Sequence, residues 1–348
     1  MQVKVIGAGV AGLACALELA ERGATVEVLE RGERLGEGAC SWYAGGMLAP
    51  WCERENAEAL IAELGSESLP WWRARFPATV SRGSLVVAHA REAHELQRFA
   101  SRTERFVHLG AEAIAALEPD LAGRFSQALF FAEEGHLDPR AALAALAARL
   151  EQLGGRIRFG VGDEGCEARG SARAVMRSAA EEEVLDCTGL AARSSLPELR
   201  GVKGEMLLIR QPEITLTRPV RVLHPRIPLY VVPRGDGMFM VGATMIESDQ
   251  PSRISARSML ELLGSAYALH PAFGEAEILE IGTGVRPAFA DNLPRIGRRA
   301  GRLFVNGLYR HGFLLAPALA RRAAQVVLEK RFFAEVMEHE DPRERRLA

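Results

Sequence analysis

The sequence lacks most of the features that announce a metal site, a disulfide scaffold, a membrane span or a nucleic-acid surface. Its five cysteines (Cys15, Cys40, Cys52, Cys166 and Cys187) are odd in number and form no Cys-x-x-Cys pair, which suits reduced thiols better than a disulfide framework. The eight histidines show no His-Glu-x-x-His spacing, so no metal is expected. No apolar run approaches the roughly 18–20 residues that cross a bilayer. Aromatics make up 6% of the chain, and 43 basic residues nearly cancel 45 acidic ones. Without a basic stripe interleaved with aromatics, nucleic acid is not an expected partner. No internal repeat and no low-complexity linker is present. The opening "MQVKVIGAG" is broken by glycine where a signal peptide would keep a continuous apolar region, so a soluble cytoplasmic protein is expected.

What is present is a chain of 348 residues, 48% of them hydrophobic. A single core usually stops growing near 250–300 residues, so two domains are expected. "VKVIGAGVAGLACALELAERGATVEVLER" (3–31) reads as strand, glycine turn, helix and strand, with Gly23 closing the helix. "LDPRAALAALAARLEQLGG" (137–155) predicts a helix opened by Asp138 and Pro139. Residues 56–76, 255–268 and 314–330 also read as helices. Strands are predicted at 85–88, in "RIRFG" and "EVLDCTG", and over 203–210, 229–233, 238–242 and 302–307. The glycine-containing "RGDG" joins two of them as a hairpin turn.

This pattern predicts an α/β (α+β, two-domain) fold: a Rossmann-like nucleotide-binding domain interleaved with a domain built on a mainly antiparallel sheet. The expected boundaries are 1–80, 138–200 and 281–335 for the first domain and 81–137 and 201–280 for the second. A charged tail, including "DPRERRLA", occupies 336–348.

Gly7-x-Gly9-x-x-Gly12 lies between a strand and a helix, and Glu30 ends the next strand. Gly7 makes the tight turn, Gly9 admits a pyrophosphate to the helix N-terminus flanked by Val10 and Ala11, and Gly12 lets helix and strand pack closely. Glu30, followed by Arg31, is placed to accept bonds from ribose hydroxyls, and its charge argues against a 2′-phosphate. The fingerprint alone leaves FAD and NAD open. FAD is favoured because the second strand runs into "CSWYAGGMLAP", where Gly45 and Gly46 permit close approach to a flat ring. A late strand–loop–helix, "RLFVNGLYRHGFLLAP", also offers a helix N-terminus to a flavin.

Arg286, in "GVRPAFADNLPRIG", sits among apolar residues ahead of a proline. It needs an anion, either Asp291 or a substrate carboxylate, for which its planar fork is suited. Tyr230 is either an ordinary sheet residue or a hydroxyl donor, Arg310 either pairs with an acid or lies in the site, and Met245 is either core filling or cavity wall.

These stretches, with "DCTG", "YVVPRGDGMFMVGATM" and "GLYRHGFLLAPALA", give the chain its resemblance to the FAD-dependent D-amino-acid-oxidase family, most closely its glycine-oxidase branch of thiamine biosynthesis. The resemblance implies non-covalent FAD held by Gly7, Gly9, Gly12 and Glu30, by Ala44, Gly45, Gly46 and Met47 along the ring, and by Gly189. It implies an adenine contact near Val161 and a loop from His311 through Gly312, Phe313 and Leu314 at the O2/N1 edge of the flavin. His311 departs from the asparagine or serine that relatives often carry. Tyr230 and Arg286 are implied to hold the substrate carboxylate, Met245 to line a small cavity and Arg310 to lie beside the flavin.

The implied reaction is oxidative deamination of glycine, sarcosine or small D-amino acids, with hydride leaving Cα for flavin N5 and dioxygen giving hydrogen peroxide. No acid or base residue is obligatory. The imine would feed thiazole synthesis, and a homo-oligomer, by resemblance a tetramer, is expected. Alternatives are a broader D-amino-acid oxidase or dehydrogenase, an N-methyl amino-acid oxidase, or a flavin-binding protein without amine oxidation.

Overall fold

The computed structural model describes residues 1–55, 57–161, 182–225 and 228–337. In chain order the elements begin with β1 (Gln2–Ile6), α1 (Val10–Glu21), β2 (Thr25–Leu29), β3 (Met47–Leu48) and α2 (Pro50–Glu53). There follow α3 (Ala59–Ser66), α4 (Ser68–Arg75), β4 (Ser84–Ala88), α5 (Ala93–Ala100), β5 (Val107–Gly110), α6 (Ala111–Leu117), β6 (Gln127–Phe131) and β7 (Gly135–His136). Next come α7 (Pro139–Gln152), β8 (Arg156–Arg158), β9 (Glu182–Asp186), β10 (Arg200–Arg210), β11 (Val220–Leu223), β12 (Leu229–Gly235), β13 (Met238–Gly242) and β14 (Ile246–Glu247). The chain closes with α8 (Ala256–Leu269), β15 (Glu277–Ala288), β16 (Arg295–Arg299), β17 (Arg302–Asn306) and α9 (Gly312–Glu329).

Both ends of the chain meet in one six-stranded sheet of order β16-β17-β9-β1-β2-β8. All its pairings are parallel except β16 with β17. Strands covered on both faces read as near-continuous apolar runs, and β1 and β2 share a pattern in which alternate residues are fully buried. Helix α1 is buried along most of its length, from Val10 through Leu19, because it lies between this sheet and α9.

Helix α9 carries Pro317 in its interior, which removes the N–H that would have reached the carbonyl of Phe313. That carbonyl is satisfied instead from α4, by Trp72 Nε1 at 2.9 Å and Ser68 Oγ at 3.3 Å. The proline therefore ties the first turn of α9 to a neighbouring helix.

The second sheet has nine strands and is mainly antiparallel, running β14-β10-β13-β12-β11-β4-β6-β5 with β15 paired to β10. Its one parallel pairing joins β11 to β4. The β12–β13 hairpin turns through Asp236 and Gly237, both at positive φ (52° and 69°), the geometry of a two-residue type I′ turn. A separate core lies under this sheet, with Leu207, Val231, Phe239 and Leu262 among its buried members.

Several elements differ from the sequence reading. The helix expected over 56–76 is two helices, α3 and α4, parted at Glu67, with Pro70 just beyond in the first turn of α4, where its missing N–H is tolerated. Residues 281–288, expected with the nucleotide-binding segments, belong to β15 and pair with β10 residues 200–207. The late helix starts at Gly312 rather than 314. Val336, expected in the charged tail, is buried, and its carbonyl accepts from the Ile296 N–H. Cys166 and most of the charged stretch 163–183 lie outside the described residues.

Candidate active site

The first part of the site is made of backbone. The chain leaves β1 and turns at Gly7, whose φ is +98°. A Cβ on Gly7 would lie 2.8 Å from the Cys187 carbonyl oxygen, and one on Gly12 only 1.9 Å from that of Gly7. Both glycines are thus required by the protein's own packing. Gly9 is different: the nearest atom to a Cβ there is Ser41 Oγ, at 3.6 Å. The protein leaves that approach to α1 open.

Helices α1 and α9 both begin without a side-chain cap and without an acid in the first turn. Their starts are adjacent, since a Cβ on Gly312 would be 3.3 Å from Val10 Cγ1. Ala11, Phe313 and Leu314 complete these first turns. Two uncapped N-termini side by side form a crease suited to anionic and electron-rich groups.

Glu30 lies at the rim of the crease. Its Oε2 accepts from the Ala8 N–H at 2.6 Å and its Oε1 from the Gly32 N–H at 2.9 Å. These bonds orient the carboxylate and leave further lone pairs for hydroxyl donors. The Val161 N–H donates to the Glu30 carbonyl, which places Val161 beside the crease with only its carbonyl available to a ligand. Arg31 is exposed. Gly189 opens a short 3₁₀ turn at φ +61°, and its carbonyl accepts from Asn306 Nδ2 at 2.9 Å.

A loop of Ala44, Gly45, Gly46 and Met47 runs from the crease to the large sheet. Gly46 stands at φ +66°, where a Cβ would lie 2.2 Å from the Leu137 carbonyl oxygen. Gly45 lies against Tyr230, and a Cβ there would be 2.9 Å from the ring. The loop is tied down by Arg234, which donates to the carbonyls of Ala44 (3.2 Å), Gly45 (2.8 Å) and Leu137 (3.0 Å). Burial pulls the Arg234 guanidinium down to about 10, while Asp138 opposes the shift. Arg234, in the "RGDG" turn, has no role in the sequence reading, which took that segment only as a hairpin signal.

The second part of the site is made of side chains. Arg286 lies on β15 opposite Val202, and its guanidinium covers Gly204, where a Cβ would be 2.2 Å from Nη2. Its Nη1 donates to the Thr244 carbonyl at 3.1 Å. Asp291, the rival anion, turns away to the Leu293 N–H and Arg295 Nη2, each at 3.0 Å. Among the described residues no acid pairs with Arg286.

Tyr230, Met245, Arg286 and Arg310, with Met47 and Glu53, line a small cavity of about 40 Å³. Glu53, Met245 and Arg310 are shared with a larger polar cleft of about 950 Å³. Met245 is 49% exposed, so it forms the rim between the two spaces and is not core filling. Its sulfur meets Arg310 Nη1 at 3.3 Å and Tyr309 Oη at 3.7 Å.

Sequence reasoning missed Glu53. It is buried, and three cationic or potentially cationic groups surround it: Arg310 Nε at 3.1 Å, Arg221 Nη1 at 3.3 Å and His311 Nδ1 at 3.5 Å. Burial by itself would raise its pKa, but the Arg310 and Arg221 guanidiniums overcome this and hold it at about 2. Arg310 therefore spends its charge on a buried acid and not on a surface one. Burial carries His311 down to about 4 against the pull of Glu53, so its ring is neutral at pH 7. Nothing in "WCERENAE" separates Glu53 from its acidic neighbours. The one available signal was its place at the end of the apolar run "MLAPWC".

The helix that carries Glu53 is itself held by a buried acid. Glu134 Oε1 accepts from the Trp51 and Cys52 N–H groups at 3.0 and 2.8 Å, while its Oε2 has no hydrogen-bond partner among the described residues. Burial raises this carboxyl to about 7. Among the described residues no group of three or more His, Cys, Asp or Glu side chains is placed to hold a metal. No described helix is long and apolar enough to cross a membrane.

The crease and the loop fit a dinucleotide that carries a flat ring system: an open backbone approach at Gly9, an acid at the ribose position, and a glycine loop leading to a pocket whose guanidinium meets no acid among the described residues. Comparison with known proteins agrees. A family model described as FAD dependent oxidoreductase matches residues 2–326. The chain is 54% identical over 329 residues to a putative thiamine biosynthesis oxidoreductase, ThiO, of Rhizobium etli, covering 94% of this chain and 97% of that one. It is 30% identical over 347 residues to a glycine oxidase of Pseudomonas putida, covering 91% and 92%. The crystal structure of a Bacillus cereus glycine oxidase superposes with a TM-score of 0.76 at 23% identity, over 95% of this chain and 96% of that one.

Proposed function

The chain belongs to the family of FAD-dependent oxidoreductases, and from that premise we propose that it oxidises glycine and similarly small amino acids to the imino acid, which water converts to the oxo acid and ammonia. The observation that carries this reading is Arg286: a half-buried guanidinium with no acid partner among the described residues, facing a cavity of about 40 Å³ beside Tyr230. FAD, when bound, supplies the acceptor for the two electrons of the Cα–H bond and returns them to dioxygen as hydrogen peroxide. It would be held at the crease by Gly9, Glu30 and the starts of α1 and α9, without a covalent link.

The protein's own part is positioning. Arg286 offers its fork, and Tyr230 its hydroxyl, to the substrate carboxylate. Gly45 allows the Tyr230 ring to sit against the loop, and Arg234 keeps that loop in place. Met245 at the rim limits the side chain that the cavity accepts. Glu53, held at about 2, and His311, held at about 4, are weak bases at neutral pH, so neither is called on as a general base. The amine proton therefore leaves to solvent before oxidation.

The likeness to the putative thiamine biosynthesis oxidoreductase of Rhizobium etli supports a place in thiamine biosynthesis, with the imine as the group passed on. Exposed Ile278, Leu279 and Ile281 on β15, which among the described residues pairs with β10, support a homo-oligomer; the resemblance makes it a tetramer of the cytoplasm. The test is anaerobic reduction of the purified yellow protein by a panel of glycine, sarcosine and D-amino acids. Bleaching by glycine and sarcosine with recovery in air is expected. Flavin that stays oxidised with glycine overturns the reading.

A further inference from the structure

The guanidinium of Arg286 is fixed in place from the far side of the sheet. On β10, Gly204 lies beneath that guanidinium, and by strand alternation its neighbours Lys203 and Glu205 point to the other face. Both are buried, at 4% and 0% exposure, and neither lines the cavity. Lys203 Nζ donates to Glu205 Oε1 at 2.7 Å, to Ser252 Oγ at 3.0 Å and to the Arg253 carbonyl at 2.8 Å. A buried ion pair costs desolvation on both partners, which such complete bonding offsets without adding much stability.

Glu205 grips one residue at three points. Its N–H donates to Thr244 Oγ1 at 2.9 Å, its carbonyl accepts from the Thr244 N–H at 3.2 Å, and its Oε2 accepts from Thr244 Oγ1 at 3.2 Å. The Thr244 carbonyl then accepts from Arg286 Nη1 at 3.1 Å. Ala243 and Met245, on either side of Thr244, both line the cavity. The threonine thus faces the buried pair with its side chain and the substrate pocket with its carbonyl.

We propose that Thr244, held by the buried Lys203–Glu205 pair, is a positioning residue that aims the Arg286 guanidinium at the substrate carboxylate. The proposal rests on Arg286 as the carboxylate anchor. Neither Thr244 nor Glu205 lines the cavity; their effect passes through one carbonyl oxygen.

Glycolate, a carboxylate without the reacting amine, tests this by titration into the FAD-loaded enzyme with the flavin absorption spectrum as readout. Thr244→Val removes the hydroxyl with little change of shape. It should weaken glycolate by about fivefold and raise KM for glycine by the same factor, the worth of roughly one hydrogen bond, with kcat little changed. Thr244→Ser keeps the hydroxyl and should bind glycolate as the wild type does. Glu205→Gln should weaken glycolate in the same direction, and serves if Thr244→Val does not fold. In an Arg286→Lys background, Thr244→Val should add no further loss, because the forked donor is gone. Unchanged glycolate affinity in both Thr244→Val and Glu205→Gln, with Arg286→Lys weakened, overturns the positioning role and leaves the anchor standing. Unchanged affinity in Arg286→Lys overturns the anchor and the inference with it. Equal losses in Thr244→Val and Thr244→Ser would mean that packing, not the hydroxyl, matters, and would also overturn it.

Discussion

The crease at the end of β1 and the pocket under β15 do adjacent jobs with opposite materials. The crease uses main-chain N–H groups, glycines without a Cβ and the starts of two helices, with Glu30 as its one charged side chain. The pocket uses Arg286, Arg310, Arg221 and Glu53, drawn from two strands, a turn and a helix far apart in the chain. A backbone site is set by local geometry and tolerates no added atoms. A side-chain site is set by mutual charge and tolerates shape changes better than the loss of a partner. The two should therefore fail differently.

The largest effect is expected in the crease. Gly12→Ala puts a methyl against the Gly7 carbonyl oxygen and should abolish folding of the first βαβ unit, read as loss of soluble yellow protein. Gly9→Ala meets only Ser41 Oγ at 3.6 Å, so the apoprotein should melt as the wild type does while FAD binds about tenfold more weakly. Equal apoprotein melting for both variants would erase the distinction between the two glycines.

In the pocket, Arg286→Ala should raise KM for glycine by about 100-fold with FAD still bound, the cost of a charge-assisted pair. Steady-state kinetics beside the flavin-to-protein absorbance ratio checks this, and unchanged KM would remove the carboxylate anchor.

Glu53→Gln leaves one buried and one half-buried guanidinium, Arg221 and Arg310, facing a neutral amide and should cost about 3 kcal/mol of stability at pH 7 by urea unfolding. Its sign with pH follows from a carboxyl held at about 2 rather than 4.5. The wild-type contribution is full above 4.5 and is lost as pH falls toward about 2, so the gap between the two proteins should close on that acid limb. A gap independent of pH there would show that the carboxylate is not the stabilising form.

The smallest effect belongs to Glu134, whose carboxyl is raised from 4.5 to about 7. Its folded-state advantage is full below 4.5 and is lost as pH rises to about 7. Glu134→Gln keeps an oxygen for the Trp51 and Cys52 N–H groups. Its melting temperature relative to wild type should climb by about 2–5 °C across that window, and a constant difference would rule out the titration.

This contrast also explains what was legible in the sequence. Gly7, Gly9, Gly12 and Glu30 fall within one βαβ unit, where a turn of fixed geometry demands glycine at fixed spacing. Asp138–Pro139 and Asp236–Gly237 were readable for the same local reason. Arg286 stood out because its neighbours are apolar, although only the structure could show Asp291 turning to Arg295. Glu53 meets Arg221 and Arg310 across separations of 168 and 257 residues, and no local pattern records such a meeting. The interleaving was harder to read: residues 281–288, grouped with the nucleotide-binding segments, lie on β15, which pairs with β10.

That strand has a further consequence for how substrate gets in. β15 runs from its exposed start at Glu277, through an irregularity in its pairing near Leu279, past Arg286 to Pro287, whose carbonyl accepts from the Tyr309 N–H in the loop ahead of α9. The strand that carries the anchor is thus bonded to the loop that carries Arg310, which ties these two sides of the pocket together. Access falls to the thioether at the rim. An unbranched side chain of that kind changes rotamer in picoseconds to nanoseconds when exposed, far faster than the microseconds to milliseconds of a hinge. Substrate capture here should be insensitive to solvent viscosity beyond diffusion itself.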